Sequence, residues 1–138
     1  MKEWTFKVFI KQDGNDVFEE WISMQDIDVE ERIRARLDMM SVTKTWSRPY
    51  FDKIHGTKHI HEIIIKFKGR QYRPLGCFGP GPQVFTLLIG ASKKGKVWNP
   101  PNAIETAEKR HKLVFSGDRR YTREYQPRER DTQKTSEE

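Results

Sequence analysis

Between residues 60 and 91 the chain reads IHEIIIKFKGRQYRPLGCFGPGPQVFTLLIGA, three β-type runs divided by two breakers. The first run, Ile60–Phe67, stops at Lys68-Gly69. A two-residue hairpin turn requires positive φ, which glycine adopts without steric cost. The second run is Arg70–Phe78, and Gly79-Pro80-Gly81-Pro82 after it cannot continue a ladder, because proline has no N–H to donate. The third, Val84–Ala91, is almost wholly apolar and is expected to be a central strand. The turn also sets a register. With Phe67 opposite Arg70, Lys66 faces Gln71, Ile64 faces Arg73 and Glu62 faces Leu75. Cross-strand partners share a face, so these six side chains lie on one side. Ile63, Ile65, Phe67 and Tyr72 lie on the other, the expected core face. Lys66 and Arg73, with Glu62 nearby, thus form a candidate polar working surface.

The flanks supply the rest of an α+β domain. Trp4, Phe6, Val8 and Ile10 alternate with Thr5, Lys7 and Phe9, an N-terminal strand with one buried face. Asp16 with Glu19, and Asp28 with Glu31, have capping-box spacing and start two helices. Phe18, Trp21 and Ile22 share a face of the first; Val29, Ile33, Leu37 and Met40 form the stripe of the second. The pair is expected to form a helical hairpin laid on a three-stranded antiparallel meander. Residues 41–58 read as irregular backbone held by Trp46, Pro49, Tyr50 and Phe51. Asn99 as cap and Pro100 at the first position start a C-terminal helix that packs Ile104, Ala107, His111 and Val114 on the sheet and stops at Gly117. Residues 118–138 have no apolar periodicity and read as a polar, flexible tail after a domain spanning 1–117. The low apolar share, 35% of 138 residues against 33% charged, fits such an unpacked stretch.

Charge is unevenly placed. Residues 1–40 carry 6 Lys/Arg and 10 Asp/Glu, residues 41–116 carry 14 and 4, and residues 117–138 carry 6 and 6. The +10 middle segment points to a polyanionic partner, nucleic acid or an acidic protein. One cysteine, Cys77, excludes a disulfide framework and a cysteine-based zinc cluster; it reads as a small buried residue. The chain has no apolar run of membrane-spanning length, and charges interrupt the N-terminal stretch a signal peptide would need. A cytoplasmic protein without membrane contact is expected.

Ser92-Lys93-Lys94-Gly95-Lys96 reads as a basic loop suited to phosphate contact. Gly90 to Lys96 matches the start of a phosphate-binding P-loop, but Val97 stands where a magnesium-holding Ser or Thr is needed, and Trp98-Asn99-Pro100-Pro101 occupies the expected helix start. His59 and His61, two apart on a strand, could face one metal, yet no third ligand accompanies them; surface histidines, or a proton-transfer role for His61, are the better readings. No cofactor and no metal site is expected.

Glu62 followed by Tyr72-Arg73 across a glycine turn, the FTLLIGA strand, the Lys93-Lys94 pair, and Pro100 with Ile104 and Ala107 at its spacing resemble the RelE/ParE toxin superfamily, most closely its phage-derived HigB-like branch. The resemblance spans about residues 4–116. It implies the RelE-like α+β fold and the toxin role of a type II toxin–antitoxin system. Such toxins enter the ribosome and cut messenger RNA without a metal; a cognate helix-turn-helix antitoxin from the adjacent gene blocks them. The ParE branch shares the fold but poisons DNA gyrase. Here Ile64 replaces the family's arginine two residues after the glutamate, and Lys66 is the available substitute.

RNA cleavage by the neighbouring 2′-hydroxyl needs a proton acceptor, positive charge at the phosphate and a donor for the leaving oxygen. Arg73 is the candidate for the scissile phosphate, assisted by Lys66, with Glu62 or His61 as base. Glu62 could equally hold Arg73 by a salt bridge. Lys93, Lys94 and Lys96, with Lys68 and Arg70 at the hairpin turn, are the candidate RNA-backbone contacts. The alternatives are a protein of the same fold that only binds a host target, and a basic nucleic-acid-binding protein of phage or mobile-element origin.

Overall fold

The computed structural model describes residues 2–127. In chain order the elements are β1 (Thr5–Phe9), α1 (Val17–Ile22), α2 (Ile27–Ser41), β2 (Phe51–Lys53), β3 (His61–Ile63), β4 (Ile65–Phe67), β5 (Arg70–Tyr72), β6 (Leu75–Phe78), β7 (Val84–Ile89), β8 (Ser92–Lys94), β9 (Val97–Asn99), α3 (Ala103–Val114), a 3-10 turn (Arg119–Tyr121) and β10 (Thr122–Glu124). The strands form two sheets: six strands in the order β10-β1-β7-β6-β3-β2, and four in the order β4-β5-β8-β9.

The two sheets arise from bends in the runs that the sequence suggests are continuous. The 60–67 run breaks at Ile64, the 70–78 run at Arg73-Pro74, and the apolar run at Gly90-Ala91. Below the bends β3, β6 and β7 belong to the large sheet; above them β4, β5 and β8 belong to the small one. Pro74 has no N–H, and Arg73 N donates to Ala91 O (2.8 Å), so backbone pairing crosses the bend. The register is the one set by the turn: Phe67 opposite Arg70, Lys66 opposite Gln71, Ile65 opposite Tyr72, and Glu62 opposite Leu75. Lys68 and Gly69 have φ of 53° and 77°, the two positive values a tight turn demands.

The large sheet is covered on both faces. Phe6, Val8, Ile63, Phe85 and Leu87, with Ile65 of the small sheet, meet Phe18, Ile22, Val29, Ile33, Leu37 and Met40 from α1 and α2. Phe9, Leu75, Cys77 and Leu88 on the other side meet Ala103, Ala107 and Val114 of α3. β7, flanked by β1 and β6, is central, and β1 lies parallel to it with Phe6 opposite Phe85.

Several boundaries differ from the sequence reading. Asp16 caps α1, accepting from Phe18 N (2.9 Å) and Glu19 N (3.0 Å), but α2 starts two residues early, after Asp26. Residues 92–98 are not a loop: β8 and β9 pair as a hairpin, with Lys93 opposite Trp98. That hairpin uses Asn99, so α3 begins at Ala103 after Asn102. It also removes any P-loop geometry from Gly90–Lys96. Within 41–58, Phe51–Lys53 adds an edge strand to β3, and Trp46 stacks on Phe6 (5.6 Å between centroids) while its indole N–H donates to Met40 O (2.9 Å).

The domain does not stop at 117. β10 pairs antiparallel with β1, and Tyr125 is buried with Phe18 and Leu37 in the main core. Its hydroxyl accepts from Arg34 Nη1 at 3.0 Å, while Arg34 Nε donates to Glu30 (2.8 Å) and Nη2 to Glu19 (3.0 Å). Two isolated tyrosines show no periodicity, which is why this stretch reads as tail; one of them fills a core slot. The rest of the tail, 128–138, lies outside the described residues.

Candidate nucleic-acid interface

Residues of the small sheet line a cleft of about 1040 Å³. Trp21 of α1, and Met24 and Gln25 in the connection between α1 and α2, also line it, together with Ile89, Gly90 and Arg110 of α3. Lys68, Arg70, Lys93 and Lys94 line it as well. Glu20 is the acidic residue among the lining, and its carboxylate is paired with Lys11 at 3.1 Å. The cleft is therefore a region of net positive potential, bounded by low-dielectric walls that focus the field.

The cations differ in freedom. Lys68 is paired with Asp28, and their hydrogen bond holds the Asp28 carboxyl below the usual range. Arg110 donates to Leu88 O (2.8 Å), and its guanidinium carbon lies 5.1 Å from the Phe9 ring centroid. Lys93 Nζ sits 4.9 Å from the Trp98 ring centroid, a cation–π contact. Arg70 and Lys94 are exposed, and the β5–β8 register sets them opposite each other at the mouth. Lys96, in the β8–β9 turn, is exposed and does not line the cleft.

The residues read as catalytic are arranged differently. Lys66, Gln71, Lys93 and Trp98 form a row across the small sheet, on one face by alternation. Arg73 lies at the foot of that row, but it is not on an open face. Its side chain is 13% exposed, and Nη1 donates to Glu62 Oε1 at 2.7 Å, itself on a side chain 10% exposed. Nη2 donates to Gln71 Oε1, and Nε is buried with no partner. The salt bridge considered for Glu62 is thus present, and Arg73 is mostly buried in it rather than part of an open working surface with Lys66. Leu75 and Ala91 pack in the α3 core beside it, which is why that face is covered.

His61 does not join this group. It lies on the other face of β3, stacked on Phe51 (5.2 Å, 9°) and edge-on to Phe78 (5.0 Å). Burial holds its imidazole below the usual histidine value, and Nδ1 has no partner. His59 precedes β3 and stacks instead on His111 at 4.6 Å, so the two histidines are separated. Among the described residues no group of three or more His, Cys, Asp or Glu side chains is placed to hold a metal ion.

Sequence reasoning missed Trp21, Gln71 and Arg110. Trp21 has the spacing of a core residue; its place at the cleft comes from Gly90, on whose backbone the indole lies.

Fold and site together define a small basic α+β domain carrying a cationic cleft between a helix and a second sheet. Residues 20–112 match the family of phage-derived Gp49-like proteins, 93 of the 138 residues, and the chain belongs to that family. It is a RelE/ParE-like toxin family of toxin–antitoxin systems. No curated protein and no solved structure matches the chain at a significant level. Among the described residues no helix is long and apolar enough to cross a membrane.

Proposed function

We propose that the chain is the toxin of a type II toxin–antitoxin pair, of the HigB-like kind, acting in the cytoplasm on messenger RNA at the ribosome. The observation that carries this reading is the convergence of Lys68, Arg70, Lys93, Lys94 and Arg110 on one cleft whose acid, Glu20, is already paired. Family membership supplies the setting: a partner antitoxin, of helix-turn-helix type and encoded next door, would shield this surface. The cleft and the Lys66–Gln71–Lys93 row grip the RNA backbone. Arg73 and Lys66 stabilise charge at the scissile phosphate, with Glu62 as the nearest acceptor.

One observation favours a second reading. Both terminal nitrogens of Arg73 are engaged, by Glu62 and Gln71. A guanidinium held this way supports a toxin that binds the ribosome or another host target, such as gyrase, without cutting RNA.

Expression in a bacterial host, with and without the adjacent gene, separates these readings. Growth arrest with new 5′ ends inside translated messages, reproduced by purified protein only with ribosomes present, supports cleavage. Arrest with intact messages supports the binding reading. Purified protein should also bind RNA with a log–log salt slope of about −2, from roughly three free cations at ~0.7 each. No arrest together with no salt-dependent RNA binding refutes both.

A further inference from the structure

The cleft contains more than phosphate-binding charge. The indoles of Trp4 and Trp46 donate within the fold, to Lys44 O (3.1 Å) and Met40 O (2.9 Å). The Trp21 indole N–H has no hydrogen-bond partner among the described residues, and Trp21 lines the cleft. One face of its ring is seated on Gly90, where an added Cβ would lie 2.0–2.4 Å from Cδ2, Cγ and Cε3. Phe18 holds it from the side at 6.0 Å. The ring is therefore fixed and half-buried, with its donor open. Met24, 76% exposed, and Val97, 70% exposed, line the same cleft. Large apolar groups this exposed, lining a cleft with free cations, are not needed for phosphate contact. They suit a flat apolar group that carries a phosphate.

We propose that the Trp21–Met24 wall is a nucleobase subsite, taking one unpaired base of single-stranded RNA while Arg70 and Lys94 hold its flanking phosphates. This inference rests on the RNA reading above and names the substrate class of the same cleft. Base–aromatic stacking tolerates any base but is strongest for the largest rings, so a purine is favoured over a pyrimidine. Duplex RNA, whose bases are already stacked, gains nothing from this wall.

The test is binding of fluorescein-labelled RNA 8-mers, followed by anisotropy against salt. The probes are an A-rich single strand, the same strand with central abasic sites, and a duplex. Trp21→Leu should weaken the A-rich strand by about 10-fold or more, with Trp21→Phe intermediate. Met24→Ser, uncharged and at an exposed position outside the core, should weaken it similarly and keeps the test valid if Trp21→Leu folds poorly. The base contribution carries no counterions, so the salt slope stays unchanged in both, whereas Lys94→Ala lowers it by about 0.7. Abasic and duplex probes should be indifferent to Trp21→Leu. Salt-dependent binding of the A-rich strand that ignores both Trp21 and Met24 overturns the subsite and leaves the RNA reading intact. Equal losses on single-stranded, abasic and duplex probes also overturn it, as does displacement of RNA by poly-glutamate from a protein insensitive to both substitutions, which marks an acidic protein partner instead. Wild-type protein that binds no RNA at low salt overturns the RNA reading itself.

Discussion

Removing the Arg73 guanidinium separates a reacting group from a structural strut. Arg73→Ala leaves the Glu62 carboxylate, on a side chain 10% exposed, without its counter-charge at 2.7 Å. Deleting one partner of such a pair costs about 3–5 kcal/mol, because the remaining charge stays desolvated. Domain stabilities are roughly 5–15 kcal/mol, so this is a large fraction of the total. At roughly 3–4 °C per kcal/mol for a chain of this size, the midpoint should fall by about 10–20 °C. The double variant Glu62→Leu/Arg73→Met removes both charges at similar volume and should recover most of the loss, giving a coupling energy of about 2 kcal/mol or more. Urea unfolding at pH 7, read by tryptophan fluorescence, measures all three proteins. An Arg73→Ala variant within about 1 kcal/mol of the parent, with no coupling to Glu62, would falsify the strut argument and return Arg73 to an open working face. The double variant also serves the functional question. It is the folded protein that lacks the pair, so RNA cleavage lost there belongs to Arg73 and Glu62 together rather than to unfolding.

Three further outcomes follow from the packing. Tyr125→Phe keeps the ring in its slot but removes the acceptor at 3.0 Å from Arg34, so thermal unfolding should show a loss of about 1.5–3 kcal/mol; an unchanged midpoint would mean the segment after 117 is not docked. Gly90→Ala brings a methyl to 2.0 Å from the Trp21 ring and should cost about 1–3 kcal/mol, with a red-shifted tryptophan emission and weaker single-stranded RNA binding; wild-type emission would show that the indole does not lie there. Burial pushes the Cys77 thiol up to about 12, so it should resist thiol reagents at pH 8 until urea unfolds the chain. The folded state keeps that proton longer than the unfolded one, so this group's linkage lowers stability as pH rises from about 9 towards 12. Rapid labelling of native protein contradicts the burial.

Much of the local structure is legible in the residues alone, because it rests on short-range periodicity. Val29, Ile33, Leu37 and Met40 predict the buried stripe of α2, and all four are in the core. Asp16 predicts a cap that is present, and Lys68-Gly69 predicts a turn whose register then puts Glu62 opposite Leu75. Other features depend on partners far away in the chain. Nothing local tells Thr5–Phe9 to lie parallel to Val84–Ile89, or Thr122–Glu124 to close the sheet edge beside it. Alternation assigns Arg73 to the face opposite Ile63, but only α3 packing from 30 residues on decides that this face is covered there and open at Lys66. The cleft is the clearest case. Its cations are visible in the sequence, yet they share a cleft with Trp21 only because three strands bend at Ile64, Arg73-Pro74 and Gly90, which splits the runs into two sheets. Patterns of three or four residues set each element's faces; which faces meet is a matter of long-range burial, and that is decided by the whole chain at once.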